Sequence, residues 1–129
     1  AAEQLRELGD DVHAVTDVTG YGLAGHGWEV AERGGVRLHI DAQNIVAYPG
    51  ALKAATEGMR TGGDPRNRTY VEGHCTISAP DAHAALCFDP QTSGGLLAVV
   101  PQHRQQQLLD LGWWHAGRIE AGAPGIVIE

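Results

Sequence analysis

The chain is short of the residues that mark several common protein classes. It has two cysteines, Cys75 and Cys87, and no C-x-x-C. Two such cysteines supply no zinc site and fit a reducing compartment. Its one lysine, Lys53, does not stand in a G-x-x-x-x-G-K-[ST] segment, so the chain is not a P-loop protein. Seven histidines show no H-E-x-x-H or other ligand spacing, and neither G-x-S-x-G nor a Cys/His nucleophile pattern occurs. No apolar run approaches the ~20 residues of a membrane span. No basic segment leads into an apolar one, so no secretory signal is visible. Basic residues are scarce as well. Nine Lys and Arg against 16 Asp and Glu leave a formal charge of −7, which argues against a protein that coats nucleic acid.

Glycine is abundant. There are 18 in 129 residues, about twice the usual share, so Gly-rich loops are the feature to explain. The chain is 43% hydrophobic and 19% charged, which excludes a disordered segment. Without repeats or a low-complexity linker, residues 1–129 read as one domain. They begin Ala1-Ala2-Glu3-Gln4-Leu5-Arg6-Glu7-Leu8, with no Met and with Leu5 and Leu8 at helical spacing. The N-terminus is therefore expected to be a cut inside a larger protein, with a processed terminus as the alternative.

The hydrophobic pattern predicts alternating elements. Val12–Val15 is a short strand, and a helix runs from about Gly22 to Arg33, stopped by Gly34-Gly35. Val36–Asp41 alternates as a half-buried strand does, and Pro49 opens a helix to Gly58. Met59–Gly73 is polar and aperiodic, hence a loop. Asp81–Leu86 is a short helix. Leu96–Val100 is a strand covered on both faces, Pro101–Leu111 a helix, and Trp113–Ile119 and Ile126–Ile128 are strands. The order implies a layered α/β domain with a mixed sheet.

Three glycine-bearing loops carry the chemistry. In the first, Thr16-Asp17-Val18-Thr19-Gly20-Tyr21-Gly22-Leu23-Ala24-Gly25-His26, the glycines match G-x-G-x-x-G between a strand and a helix, and Asp41 ends the next strand. That satisfies the dinucleotide-binding pattern. Asp17 argues against it, because a carboxylate at the mouth of the loop repels a bare pyrophosphate. It becomes useful when a divalent cation bridges it to phosphate oxygens, as Mg²⁺ does with one or two protein carboxylates. A tight strand-to-helix turn with Asp17 or Thr19 as cap remains open. In the second loop, Gly62-Gly63 free backbone N–H groups, and Arg66, Asn67 and Arg68 are placed to meet phosphate oxygens. An ordinary solvent loop is the plainer reading. The third loop sets Asp89, Gln91, Thr92 and Ser93 between a helix and a strand. Turn chemistry explains Asp89-Pro90 and Gly94-Gly95 but not the polar residues between them. His26 and His74 follow glycine loops and are read as structural. Trp113-Trp114 reads as one buried and one surface ring of a strand.

The first of these segments resembles the TDVTGFGLLGH signature of the selenophosphate synthase (selenide, water dikinase) family. Asp89-Pro90-Gln91-Thr92-Ser93-Gly94-Gly95-Leu96-Leu97 is similar to its DPQTSGGLL signature at every position, and Gly62-Gly63 with Asn67 is similar to its GG-x-x-x-N loop. The likeness covers nearly the whole chain. It implies the C-terminal domain of a two-domain enzyme, with an α+β fold like that of the aminoimidazole ribonucleotide synthetase C-terminal domain, layered α/β/α and partly ferredoxin-like. The family's domain starts with a strand and helix before the position of Ala1, so part of the sheet and core is expected to be missing.

The resemblance further implies a cytoplasmic, Mg²⁺-dependent homodimer that turns ATP, selenide and water into selenophosphate, AMP and phosphate for selenocysteine biosynthesis. It implies no nucleic-acid or membrane partner. The reactive Cys or selenocysteine and most of the nucleotide site belong to the N-terminal domain, so the isolated chain is expected to be inactive and holds no catalytic residue. Asp17 carries over as a Mg²⁺ ligand. Thr16, Thr19, Gly20, Gly22, Gly62, Gly63 and Asn67 carry over to the phosphate side. Asp89, Gln91, Thr92 and Ser93 form a motif loop without an assigned role. Tyr21 stands for Phe, Ala24 for Leu, and Asp64 for a common Thr, the last putting the phosphate role of its loop in doubt. Two alternatives stay open: a dinucleotide-binding oxidoreductase module and a non-catalytic dimerisation domain.

Overall fold

The computed structural model describes all 129 residues. Its helices are α1 (Ala2–Leu8), α2 (Gly22–Gly34), α3 (Ala51–Thr56), α4 (Asp64–Tyr70), α5 (Asp81–Phe88) and α6 (Gln105–Asp110). Its strands are β1 (Ala14–Asp17), β2 (Val36–Ile40), β3 (Cys75–Ile77), β4 (Leu96–Val99), β5 (Gly117–Ala121) and β6 (Gly125–Ile128). This is an α+β fold, and its strands fall into two sheets. β1 and β4 form an antiparallel pair with Ala14 opposite Val99. The other sheet has the order β3-β6-β2-β5, with β6 parallel to β2 and β3, and β5 antiparallel to β2. No helix is long and apolar enough to cross a membrane.

The core follows from two periodicities. In β2, Leu38 and Ile40 turn inward and Arg37 outward, the alternation a one-face-buried strand requires. In α2, Ala24, Trp28 and Ala31 recur at helical spacing and are buried against β2 and β6. Gly27 allows that approach, because a Cβ there would stand 2.8 Å from Leu38 Cδ2. Gly35, left-handed at φ 64°, ends the helix as expected. Phe88 and Cys87 from α5 and Ile126 and Ile128 from β6 complete the cluster. A smaller one joins Leu5, Leu8 and Leu108 to one side of β4. The outer face of the large sheet is polar: Arg118 pairs with Glu120 and Glu129, and its guanidinium holds the Glu129 carboxyl below its usual range.

Five expectations need correction. Met59–Gly73 is not all loop, since Asp64–Tyr70 is helical. Pro65 fits its first turn, and the inward face is Asp64, Asn67 and then Val71, so a polar stripe hides a helical period. β3 is an added strand, too short for a pattern and formed by its parallel ladder with β6. β5 starts at Gly117 rather than Trp113, and Trp113 is half-buried outside any strand, donating Nε1–H to Gln4 Oε1 at 2.9 Å. β4 is not covered on both faces: every one of its residues is only half-buried, and the strand borders an open cleft. The expected helix Pro101–Leu111 also divides, into a 3-10 turn (Gln102–Arg104) and α6.

Burial pushes the Cys87 thiol up to about 12 and that of Cys75 up to about 11. Both are free. Thiolate is the reactive form, so iodoacetamide at pH 8 should leave both unmodified for minutes in the native protein and alkylate both in urea. Rapid native labelling of Cys87 would contradict this packing.

Candidate functional site

The two long glycine motifs fold against each other. The first runs from the end of β1 through a turn into α2, and the second from the end of α5 into β4. Val18 N–H donates to Gly95 O at 2.9 Å, and Gln91 N–H to Thr19 O at 3.0 Å. Gly22 sits at φ 69°, where a Cβ would come within 2.8 Å of Cys87 O and 3.0 Å of Asp89 O. A Cβ on Gly94 would collide with Val18 O, and one on Gly63 with Pro90 Cγ. Gly22 and Gly94 are required by backbone contact between the loops, and Gly63 by the Pro90 ring packed on it. Gly20 and Gly62 differ: nothing lies within 4 Å of the Cβ that either lacks, so their surfaces are open to a ligand.

Asp17 stands at the end of β1. It is exposed and takes part in none of the protein's ion pairs. Thr16, half-buried beside it, donates its hydroxyl to Asp17 O at 3.3 Å. Thr19 Oγ1 lies 3.0 Å from His26 Nε2, and His26 Nδ1 lies 3.2 Å from Glu29 Oε2. A carboxylate only accepts, so Nδ1–H points to Glu29, which fixes the ring with Nε2 on the Thr19 hydroxyl. Tyr70 O–H donates to the other Glu29 oxygen at 3.3 Å, and its ring stacks on Tyr21 at 4.4 Å. Burial and then the Glu29 charge raise the Tyr70 hydroxyl above its usual range. His26 thus orients Thr19, whereas His74 stacks on Trp28 at 4.1 Å.

α4 clasps the turn. Asn67 is fully buried, and its amide Nδ2 donates to Gly20 O at 3.0 Å and Phe88 O at 2.8 Å. It does not face solvent, so it acts on the loop by holding Gly20. Arg66 reaches the same carbonyl at 3.2 Å, with its guanidinium 5.7 Å from the Tyr21 ring centre. Asp64 is buried and accepts from Arg68 Nε at 2.8 Å, and Arg68 lies over the Phe88 ring at 4.4 Å. The carboxylate in the Gly62-Gly63 loop is thereby neutralised inside the fold.

In the third loop, Gln91 Nε2 donates to Asp89 Oδ2 at 2.8 Å, while Thr92 and Ser93 are exposed. Thr16, Asp17, Thr19, Gly20 and Gly22 therefore share one place with Asp89 and Gln91. Gly63 and Asn67 support it from behind, and Gly62 stands in an exposed stretch of its loop. Sequence reading took Gly94 only as turn chemistry, and it missed Tyr70 and Glu29. The His26–Glu29 helical spacing was a signal for the second of these. No three His, Cys, Asp or Glu side chains converge, and Asp17 offers one unpaired carboxylate.

The dinucleotide reading does not fit. Its βαβ unit needs two parallel strands of one sheet, but β1 and β2 lie in different sheets. Asp41, its ribose-binding acid, accepts from Asn44 Nδ2 at 2.5 Å.

Comparison with known proteins matches residues 1–128 to the family described as AIR synthase related protein, C-terminal domain. A selenide, water dikinase of Pseudomonas straminea is 42% identical over 128 residues, covering 92% of this chain and 36% of the relative. Those of Caldanaerobacter subterraneus and Dechloromonas aromatica are 38% and 39% identical, covering 93% and 91% of this chain. The chain spans little more than a third of these relatives' length. Among solved structures, a thiamine monophosphate kinase from Aquifex aeolicus has a TM-score of 0.55 at 18% identity, covers 98% of this chain and 35% of its own, and shows the fold alone.

Removing the Asn67 amide leaves the buried Phe88 carbonyl without its donor, and the Gly20 carbonyl with Arg66 alone. An orphaned buried carbonyl costs about 1–3 kcal/mol, so Asn67→Ala should lower the urea-unfolding free energy by about that amount. An unchanged midpoint and slope would show that the clasp is not made.

Proposed function

The chain belongs to the family of AIR synthase related protein C-terminal domains, and on that premise we propose that it is the C-terminal domain of a selenophosphate synthase. The whole enzyme would convert ATP, selenide and water to selenophosphate, AMP and phosphate, working in the cytoplasm as a homodimer. The N-terminal domain would supply the reactive Cys or selenocysteine, and this chain alone would be inactive. Identity of 42% to a protein named selenide, water dikinase supports the reading.

The observation that carries the site is the unpaired, exposed Asp17 carboxylate beside the open Gly20 turn. One carboxylate without a counter-ion fits Mg²⁺, which keeps waters and takes its other ligands from substrate phosphates. Asp17 would hold the ion next to ATP, and the bound ion would offset charge on the phosphates. The chain's own groups would do the rest. Gly20 would let phosphate approach the backbone, and the His26–Glu29 pair would hold the Thr19 hydroxyl in one orientation. Thr16 and Gly62 would border the phosphate side. Asn67 and Gly22 would keep the turn in shape, and Gly63 would pack the Asp89 loop behind it. Asp89 and Gln91, fixed to each other, would form the wall opposite Asp17, with Thr92 and Ser93 free to meet substrate or the N-terminal domain.

In the full-length protein, Asp17→Asn should cut AMP formation by on the order of 100-fold or more. Thermal unfolding should be unchanged, because Asp17 is exposed and unpaired. AMP formation near the wild-type rate would refute the assignment.

A further inference from the structure

A line of hydrogen bonds runs from the open Gly20 turn to the surface of α4. Thr19 Oγ1 lies 3.0 Å from His26 Nε2, His26 Nδ1 lies 3.2 Å from Glu29 Oε2, and Tyr70 O–H donates to Glu29 Oε1 at 3.3 Å. A hydroxyl, an imidazole and a carboxylate in that order form an arrangement that activates an oxygen. The ring accepts a proton, and the acid behind it fixes the ring and stabilises the imidazolium. Burial is graded along the line. His26 is only 8% exposed, while Thr19 is half-buried and adjoins Gly20, whose missing Cβ leaves open space. Thr19 is therefore the end of the line that a reactant can touch.

The turn does not need the Thr19 hydroxyl for its shape. Thr19 O already accepts from Gly22 N–H and from Gln91 N–H, both at 3.0 Å, and Asn67 holds Gly20 O. The neighbouring acids are otherwise engaged. Asp89 accepts from Gln91, and Asp17 is the proposed ligand of the metal ion. With Nδ1–H on Glu29, a neutral His26 ring turns its Nε2 lone pair to the Thr19 hydroxyl proton.

We propose that Thr19 and His26 form a proton relay that activates the water consumed in the reaction. The relay rests on the reaction proposed above and gives its water step a base. That reaction passes one phosphoryl group of ATP to selenium and another to water. Selenide arrives as an anion and needs no base, whereas water is a weak nucleophile until it gives up a proton. Once selenide has taken the terminal group, ADP remains. The water oxygen bonds to the β-phosphorus of ADP as the bond from that phosphorus to the bridging oxygen breaks, and AMP leaves with the electron pair. The water proton passes to Thr19 Oγ1 as the Thr19 proton passes to His26 Nε2. Glu29 faces the resulting imidazolium, and Tyr70 steadies Glu29. The ring then returns its proton through Thr19 to the released phosphate.

Product analysis on the full-length protein tests the relay. Wild type should release one AMP per selenophosphate. In Thr19→Val, ADP should leave in place of AMP, and AMP per selenophosphate should fall by on the order of 100-fold. Thr19→Ser keeps the hydroxyl and should restore the ratio. Glu29→Gln keeps an acceptor for the ring but removes the charge, and should also lower the ratio. An unchanged ratio in Thr19→Val would overturn the relay, even if both products declined together, because a merely structural residue slows both steps alike. Nitrogen-15 NMR of histidine-labelled protein at pH 8 adds a readout without turnover. The His26 proton should sit on Nδ1, and a proton on Nε2 would overturn the relay. Failure of the relay alone leaves wild-type turnover in place, whereas a wild-type protein that forms neither product would refute the proposed reaction itself.

Discussion

The structure depends on one close contact between two stretches of backbone. Residues 18–22, leaving β1, lie on residues 87–95, leaving α5, with no side chain between them at Gly22 and Gly94. That contact sets where α2 begins and where β4 joins β1. It therefore places Asp17, at the end of β1, beside the turn and the Asp89 loop. Any side chain at either glycine would part the loops and move the carboxylate away from the backbone it shares a site with.

Around this contact the polar groups hold one another in place. Asn67 joins Gly20 to Phe88, and Arg68 neutralises Asp64 while covering the Phe88 ring. Tyr70, Glu29 and His26 link α4 through α2 to the Thr19 hydroxyl. Among the charged side chains of these loops, Asp17 is left without a partner. A charge that the fold does not use is available to a ligand, and this one stands beside the open Gly20 turn.

Much of this was legible in the amino-acid order. β2 alternates, α2 ends at Gly35, and both glycine motifs lie where a strand meets a helix. α4 was not legible, because its inward residues are Asp64 and Asn67, and a polar inward face imitates a loop until their partners are known. The uses of the glycines were divided in a way no pattern reveals. Gly22 and Gly94 serve contact between backbones, while Gly20 faces open space. A missing Cβ looks the same in sequence whether ligand or backbone occupies its place. The apolar run Leu96–Val100 implied cover on both faces, and here it borders the cleft.

The strand pairings also bear on how such a chain acquires its structure. Val15 faces Ala98, Leu38 faces Ile126, and the parallel ladder of β2 with β6 waits for the last residues. Few of the sheet's bonds are local, and α2, with Gly22, Gly25 and Gly27, has little helical preference of its own. Loop closure precedes most of the stabilising contacts, which slows folding and lengthens the life of open, apolar-edged intermediates. The same glycines that let the finished loops touch make the chain a slow traveller toward that state.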